Sequence, residues 1–532
     1  MLIKRLSFVS PNQKYCIILM LLKQAVLPYT APMIAKILSA IPHGYQGRLI
    51  EVEGDCNRGL PAFNIVGMAN KTIEESKDRV RAALHNSTFS FPDTKVTINL
   101  APADLHKDGA YLDLPIALAV MVLSNQLPQI DLDNKLFVGE LSLTGELRPV
   151  RGIINIVETA KHANIHEIFI PQSNLLQASL VSGINIIGVP NLKSLFLHLK
   201  GEIKIATPHA TTDNPKPNTN PILLDHIHGQ QQAKRAMTIA IAGRHNILIS
   251  GPPGAGKTML AKAALNLLPN PSNTEKVAIT KIHSLSGITQ DIVHYRPFRN
   301  PHHTASPISL IGGGPLASPG EISLAHLGVL FLDELPEYPR NVLEALRQPL
   351  EDKQISISRT NQKTTYPADF MLIATMNPCP CGFLGSYSHE CICTPTQLLN
   401  YTKKLSGPLL DRIDIIIDVA QVENTDLLKS PTDSSASHDA AKSQIITAIK
   451  NQRKRYQKTD LYNSSLSSSQ VSKQLHLSPS AKRLLEHASK SLDLSARAYF
   501  KVIKVAGTIS DLESAHEITD AHLSEALQYR KK

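Results

Sequence analysis

The sequence predicts a multidomain α/β protein built around a parallel sheet, and three observations carry that prediction. First, the apolar run Asn246-Ile-Leu-Ile-Ser250 leads into Gly251-Pro-Pro-Gly-Ala-Gly-Lys257-Thr258, and an amphipathic stretch follows from Met259. Strand, glycine-rich turn and helix in that order make the unit that wraps a phosphate. Second, Gly328-Val-Leu-Phe-Leu-Asp333-Glu334 sets four apolar residues before two carboxylates. A buried parallel strand reads this way when its carboxyl end opens on a ligand crevice. Third, the 532-residue chain is too long for one core and breaks at polar segments on either side of these motifs.

The phosphate loop is the most specific of these signals. Gly251, Gly254 and Gly256, with Ala255 between the last two, let successive backbone N–H groups turn inward around a phosphate. Lys257 reaches the outer phosphates, and the Thr258 hydroxyl is placed to ligate Mg²⁺. The ligand expected is a nucleoside triphosphate with Mg²⁺. A plain strand–helix turn does not require all of these positions at once. Asp333 would hold Mg²⁺ through water, and Glu334 would orient or deprotonate the attacking water. A third strand, Met371-Leu-Ile-Ala-Thr-Met-Asn377, ends in an amide that can reach the same water, although Asn377-Pro378 also reads as the opening of a turn.

Composition shifts divide the remainder. Residues 1–32 read as an extension upstream of the real start, with Met33 as initiator. Their apolar run from Cys16 to Leu22 is short for a secretory signal and no small-residue cleavage site follows it. Residues 33–206 alternate β-type runs such as Lys95–Leu100 with helical patterns such as Thr72–Leu84, an α/β or α+β domain. Residues 207–221 carry four prolines and no Val, Ile, Leu or Phe, and read as an extended linker. Residues 222–425 hold the nucleotide motifs, 426–440 form a second polar break, and 441–532 read as helices, among them Ser478–Leu492 and Ser495–Ser514. In the last, Tyr499, Val502, Ile503, Ala506 and Ile509 share one apolar face.

Charge and cysteine usage bound the surroundings. Fifty-five Lys and Arg against 45 Asp and Glu give a net charge of +10, which permits a nucleic-acid partner without demanding one. Six cysteines without even scatter argue against a disulfide scaffold and for a reducing cytoplasm. No apolar run approaches membrane-spanning length, so no membrane partner is expected. Four of the cysteines, Cys379, Cys381, Cys391 and Cys393, form two Cys-x-Cys pairs directly after Asn377. Four thiolates so close in sequence suit a tetrahedral structural Zn²⁺, with free thiols in a loop as the alternative. His389 could replace one ligand, though a solvated loop histidine is the simpler reading.

A DNA path has two candidates. Gln354–Arg359 and Lys363–Tyr366 read as a hairpin around Thr360-Asn361-Gln362, projecting Arg359 and Lys363 toward phosphates; a plain surface hairpin would have the same pattern. The segment Arg296–His303 is the second candidate, and its His302-His303 pair reads as packing or pore contact rather than as metal ligands.

Longer phrases give the chain a family. The nucleotide motifs resemble an AAA+ ATPase core. Arg296–Thr304, Leu310–Gly314, Pro319–Glu337 and Leu343–Asp352 resemble its magnesium-chelatase-like branch. Gly59–Met68, Glu75–Leu84 and Ile98–Leu105 resemble the ComM/YifB family of bacterial competence-associated proteins, the likeness running from about Met33 to Lys531. It implies an AAA+ parallel-sheet core, a C-terminal helical lid and a homo-hexameric motor that hydrolyses ATP to move branches in DNA. Its substrates would be branched or single-stranded intermediates during natural transformation, with recombination proteins as further partners. Residue by residue, Lys257 and Thr258 match the phosphate-loop positions, and Asp333 and Glu334 the second motif. Asn377 matches the first sensor, Arg412 the arginine finger and Arg497 the second sensor. An always-charged planar fork suits a group that must reach a neighbouring subunit's γ-phosphate.

The N-terminal domain resembles the proteolytic domain of Lon proteases, with a departure. Tyr111 stands where that family has its nucleophilic serine and Ile154 where it has the catalytic lysine. An amine-activated hydroxyl needs both, so peptide hydrolysis is not expected; assembling the ring or holding DNA is. Two other functions share the motifs: a chelatase ATPase driving metal into a tetrapyrrole, and a remodelling factor that uses ATP only as a clamp. The Lon-like domain argues against the first, and the intact Glu334 and Arg412 against the second.

Overall fold

The computed structural model describes residues 34–67, 71–105, 107, 110–206, 222–289, 291–314, 317–359, 362–385, 389–421 and 435–530. The expected N-terminal extension, the proline-rich linker and most of the second polar break lie outside the described residues, as does the tip of the 354–367 hairpin.

Two large sheets organise the molecule. The first has seven strands in the order 62–66, 95–101, 46–57, 35–43, 135–137, 167–171, 185–189. Its antiparallel half comes from the hairpin Ala35–His43/Gln46–Asn57 and the strand Lys95–Ala101, and its far half is parallel. The helix Asp113–Leu123 is buried at every residue, as a helix that is apolar all round must be. Lys71–Asn86 packs beside it.

The second sheet has five parallel strands in the order 298–299, 329–332, 371–376, 247–250, 415–418. The three central strands are short runs buried at every residue, with both faces covered, which is why these stretches lack polar alternation. The strand Met371–Met376 lies between Ile247–Ser250 and Val329–Leu332, with Ser250 opposite Met376 and Leu332 opposite Ala374. Three strands distant in sequence therefore end side by side at one edge.

The helices after residue 435 cover one face of this sheet. Val502, Val505, Ala506 and Ile509 of Ala496–Leu512 join Ile445 and Ile449 of Ala436–Tyr456 in one core with Ala263 and Leu267 of the helix Lys257–Leu267. Four of the five residues expected on one apolar face, Val502, Ile503, Ala506 and Ile509, are buried, and Tyr499 is partly so.

The two sheets are joined through the helix Asn273–Ser286. Gly152 N donates to the Ser284 carbonyl at 3.3 Å, and Lys281 Nζ pairs with Glu158 at 2.5 Å while lying over the Tyr45 ring. Gln177 donates to the carbonyls of Thr289 and Asp291. Tyr45, at the turn of the first hairpin, packs against the core beneath the 354–367 hairpin.

Candidate nucleotide-binding site

The carboxyl edge of the parallel sheet gathers the candidate chemistry. The phosphate loop leaves Ser250, crosses Gly254 and Gly256 with φ of 77° and 79°, and enters the helix Lys257–Leu267. A side chain would be strained at either glycine, and open space surrounds both, so the loop's N–H groups can close on an anion. The helix begins at Lys257, two residues before the expected Met259, because Gly256 serves as its cap.

Lys257 turns its ammonium into the loop. It donates to the Gly251 and Pro252 carbonyls and, at 2.8 Å, to Asn377 Oδ1. Desolvation holds its pKa below the ordinary lysine value, with Asp333 and Glu334 opposing the shift. Thr258 Oγ1 donates to Asp333 Oδ2 at 3.2 Å, and Thr375 Oγ1 donates to the other oxygen of the same carboxylate. A hydroxyl and a carboxylate at the mouth of a phosphate loop are the oxygen donors that Mg²⁺ takes.

Glu334 sits just past the strand with φ of 53°, a left-handed conformation that turns it out of line with Asp333. Its backbone N–H donates to Thr375 Oγ1 at 3.1 Å, so one threonine fixes both acids. The Glu334 carboxylate is half exposed and lies 3.9 Å from His303 Nδ1. Thr375 is a functional candidate the sequence reading missed, although its place two residues before Asn377 could have signalled it. His303, read from the sequence as packing or pore contact, lies beside Glu334.

Arg412 and Arg497 lie at the opposite edge. Asn246, at the start of the loop strand, accepts from Leu372 N and donates to the Arg412 carbonyl, which places Arg412 where the parallel strands begin. Four strand residues, about 13 Å, separate that edge from the phosphate loop. Both guanidinium groups contact Glu351 Oε1, and both line a cavity of about 490 Å³ with Lys501 and Lys504. Asp414 also lines it; burial works against that charge, yet Lys501 and His245 hold its carboxyl well below the usual range.

The four cysteines converge. All four sulfurs lie within 4.8 Å of one another, and Cys379 Sγ is 3.3 Å from Cys381 Sγ and 3.7 Å from Cys391 Sγ. A tetrahedral zinc with bonds of about 2.3 Å spaces its sulfurs by about 3.8 Å, so the arrangement fits that ion. The Cys381 and Leu384 N–H groups donate to Cys393 and Cys379 sulfurs, as outer partners of a thiolate cluster do. A Cβ at Gly382 would stand 2.8 Å from Pro253 Cδ, so the cysteine loop rests directly on the phosphate loop. His389 packs edge-on against Phe383 and is not in the cluster.

Gln354–Arg359 and Gln362–Pro367 form an antiparallel hairpin, with Ser358 opposite Lys363, anchored by buried Ile355, Ile357 and Tyr366. Lys363 is exposed; the side chain of Arg359 lies outside the described residues. In the second candidate for a DNA path, both arginines have internal partners. Arg296 is buried on Glu275 and on the Pro269 and Leu327 carbonyls, and Arg299 is paired with Glu321. Both arginines of that segment brace the edge strand, and the His302 and His303 rings lie tilted against each other with centroids 4.2 Å apart. Tyr111 packs against the apolar cluster that contains Ile154.

Known proteins resemble the chain along most of its length. Residues 223–427 match the family model described as magnesium chelatase, subunit ChlI. Residues 52–174 match that of subunit ChlI of Mg-chelatase, and residues 435–530 that of its C-terminal part. The chain is 41% identical over 503 residues to Competence protein ComM of Haemophilus influenzae, covering 93% of this chain and 97% of the relative. It is 42% identical over 484 residues to the uncharacterized protein YifB of Salmonella typhimurium, covering 90% and 94%. A more distant likeness, 26% over 204 residues, covers 38% of this chain and 26% of a probable DNA helicase MCM9 of Arabidopsis thaliana.

Proposed function

The chain belongs to the ComM/YifB family, within the magnesium-chelatase-like AAA+ ATPases, and from that premise we propose that it is a homo-hexameric ATPase that moves branches in DNA. The observation that carries the reading is the meeting of Lys257, Thr258, Asp333, Glu334 and Asn377 at the ends of three adjacent parallel strands. The loop N–H groups and Lys257 hold the ATP phosphates. Mg²⁺, held by Thr258 and Asp333, supplies charge neutralisation at the phosphates. Glu334, freed from the strand line by its left-handed backbone, orients a water, and Asn377 fixes that water's other side. Arg412 and Arg497, on the opposite edge, reach the nucleotide of the next subunit in a heterologous ring.

We assign residues 33–206 to a Lon-like domain that assembles the ring or holds DNA. Its apolar Tyr111–Ile154 neighbourhood suits packing rather than hydrolysis. Residues 222–425 are the motor and 441–532 its helical lid, joined by the segments 207–221 and 426–440. Cys379, Cys381, Cys391 and Cys393 hold a structural zinc that stiffens the loop between Asn377 and Pro253. Arg359 and Lys363 grip DNA phosphates at the hairpin tip. The setting is the cytoplasm during recombination of imported DNA, in keeping with the name ComM carries. Among the described residues no helix is long and apolar enough to cross a membrane.

An ATPase assay with branched DNA, single-stranded DNA or a porphyrin added in turn tests the reading. Stimulation by branched DNA with strand movement supports it. Stimulation by porphyrin alone would instead place the chain with chelatases, and hydrolysis indifferent to all three would fit a remodelling factor.

A further inference from the structure

Two arginines assigned to one neighbouring nucleotide share a single internal carboxylate. Glu351 Oε1 lies 2.6 Å from Arg412 Nη2 and 2.9 Å from Arg497 Nη2. The three side chains differ in freedom. That of Arg412 is 9% exposed, with Nη1 on the Pro408 carbonyl and a buried Nε that has no acceptor. That of Arg497 is 60% exposed and that of Glu351 43%. Arg497 is thus an exposed arm resting on Glu351, and Arg412 a seated one.

The position of Glu351 is not explained by its own helix. It lies in the last turn of Arg347–Asp352, close to the carbonyl end, where an acid is disfavoured. Two guanidinium groups converge on it instead. The Arg412 hydrogen bond, followed by the charges of Arg412 and Arg497, keeps its carboxyl ionised below the usual range. A carboxylate offers a guanidinium the same kind of oxygen acceptor as a phosphate.

We propose that Glu351 stands in for a phosphate: in the nucleotide-free chain it clamps Arg412 and Arg497, and it releases them when the outer phosphates of a nucleotide held by a second copy enter the cavity. This rests on reading the two arginines as acting on a neighbouring copy's nucleotide. Glu351 is then a positioning residue with two effects. It keeps the arginines ordered before assembly, and its negative charge opposes an incoming phosphate until several anionic oxygens outcompete one carboxylate. A neighbour holding a full triphosphate is favoured over an empty one, which ties ring closure to nucleotide occupancy.

Two readouts on the full-length protein test this. The first needs no nucleotide: phenylglyoxal labelling of Arg412 and Arg497 is followed by peptide mapping. Glu351→Gln should label Arg497 about threefold faster or more, the scale of a partly exposed ion pair, while Glu351→Asp stays near the parent. The second is specific ATPase rate against protein concentration. Glu351→Gln should reach half-maximal rate at about threefold lower concentration or less, with a maximal rate no lower than the parent's. Thermal melts of both variants establish that the fold is kept. Unchanged labelling overturns the clamp, and so does a raised midpoint with a lowered maximum, which would make Glu351 an anchor the arginines need throughout. A parent ATPase indifferent both to protein concentration and to Arg412→Ala overturns the neighbouring-copy reading itself, a different result from unchanged labelling.

Discussion

Lys257 Nζ donates to Asn377 Oδ1 at 2.8 Å. The two residues are 120 positions apart and meet because their strands run in register, Ser250 opposite Met376. The acceptors around this ammonium are two carbonyls and an amide oxygen rather than a direct carboxylate, and desolvation lowers its pKa against the more distant charges of Asp333 and Glu334. An arriving phosphate supplies the missing negative charge and favours the protonated lysine. The same amide begins the cysteine loop, so nucleotide contact, sensor strand and cysteine cluster form one continuous path.

Lys257→Ala should weaken ATP binding, whereas Glu334→Gln should bind ATP and hydrolyse it on the order of a hundredfold more slowly. Nucleotide-binding and single-turnover assays separate the two effects. Arg412→Ala mixed with Lys257→Ala should recover activity at some shared interfaces, since each variant leaves the other's half-site intact. Parent-rate hydrolysis by Glu334→Gln would remove it as the water-orienting group.

Freshly reduced protein should contain about one zinc per chain by elemental analysis, from four-thiolate coordination. Cys379→Ser should release the metal and lower the melting temperature. Loss of ATPase should follow through displacement of Asn377 and of the cysteine loop that Gly382 seats on Pro253. Metal-free protein of undiminished stability would refute the site.

Stability should fall as pH drops from about 6.5 toward about 4, because burial above all lowers the pKa of His326 to about 4. Its Nδ1 accepts from Asp369 N at 3.1 Å, a bond that requires the unprotonated nitrogen. In that window the unfolded chain binds the extra proton, so protonation favours unfolding, by about 3 kcal/mol at most. Denaturation at pH 7.5 and pH 5 should show a smaller difference for His326→Gln than for the parent. The buried His283 and His438, also lowered, leave a residual slope. An unaltered difference would mean that His326 does not titrate in this range.

Arg359→Ala with Lys363→Ala should leave basal ATPase nearly intact and reduce DNA stimulation and branch movement. The log–log salt dependence of DNA affinity should drop by about 0.7 to 0.9 for each phosphate that no longer meets a cation. Little sequence preference is expected, since backbone contacts do not read bases. Binding across a salt series, paired with strand-displacement rates, makes the measurement. With Arg296 and Arg299 committed to carboxylates, an unchanged slope and unchanged movement would direct the search to the N-terminal domain.

Local pattern sufficed for much of this protein. The phosphate loop, the acidic strand end, the Asn377 strand and the paired cysteines were legible because each depends on residues close in sequence with fixed backbone demands. The strands expected at Lys95–Leu100 and Met371–Asn377 appear at 95–101 and 371–376 for the same reason: short apolar runs bounded by polar residues have one comfortable conformation. What the sequence could not disclose depends on which distant segments become neighbours. Only the strand order sets Thr375 between Asp333 and Glu334, brings His303 to Glu334, and turns Arg296 and Arg299 inward. It also carries Arg412 and Arg497 to the edge away from their own phosphate loop and closes both on Glu351. A charge in a sequence is free to face solvent, substrate or a buried partner; sheet topology chooses among these, because it alone decides which opposite charge lies within reach.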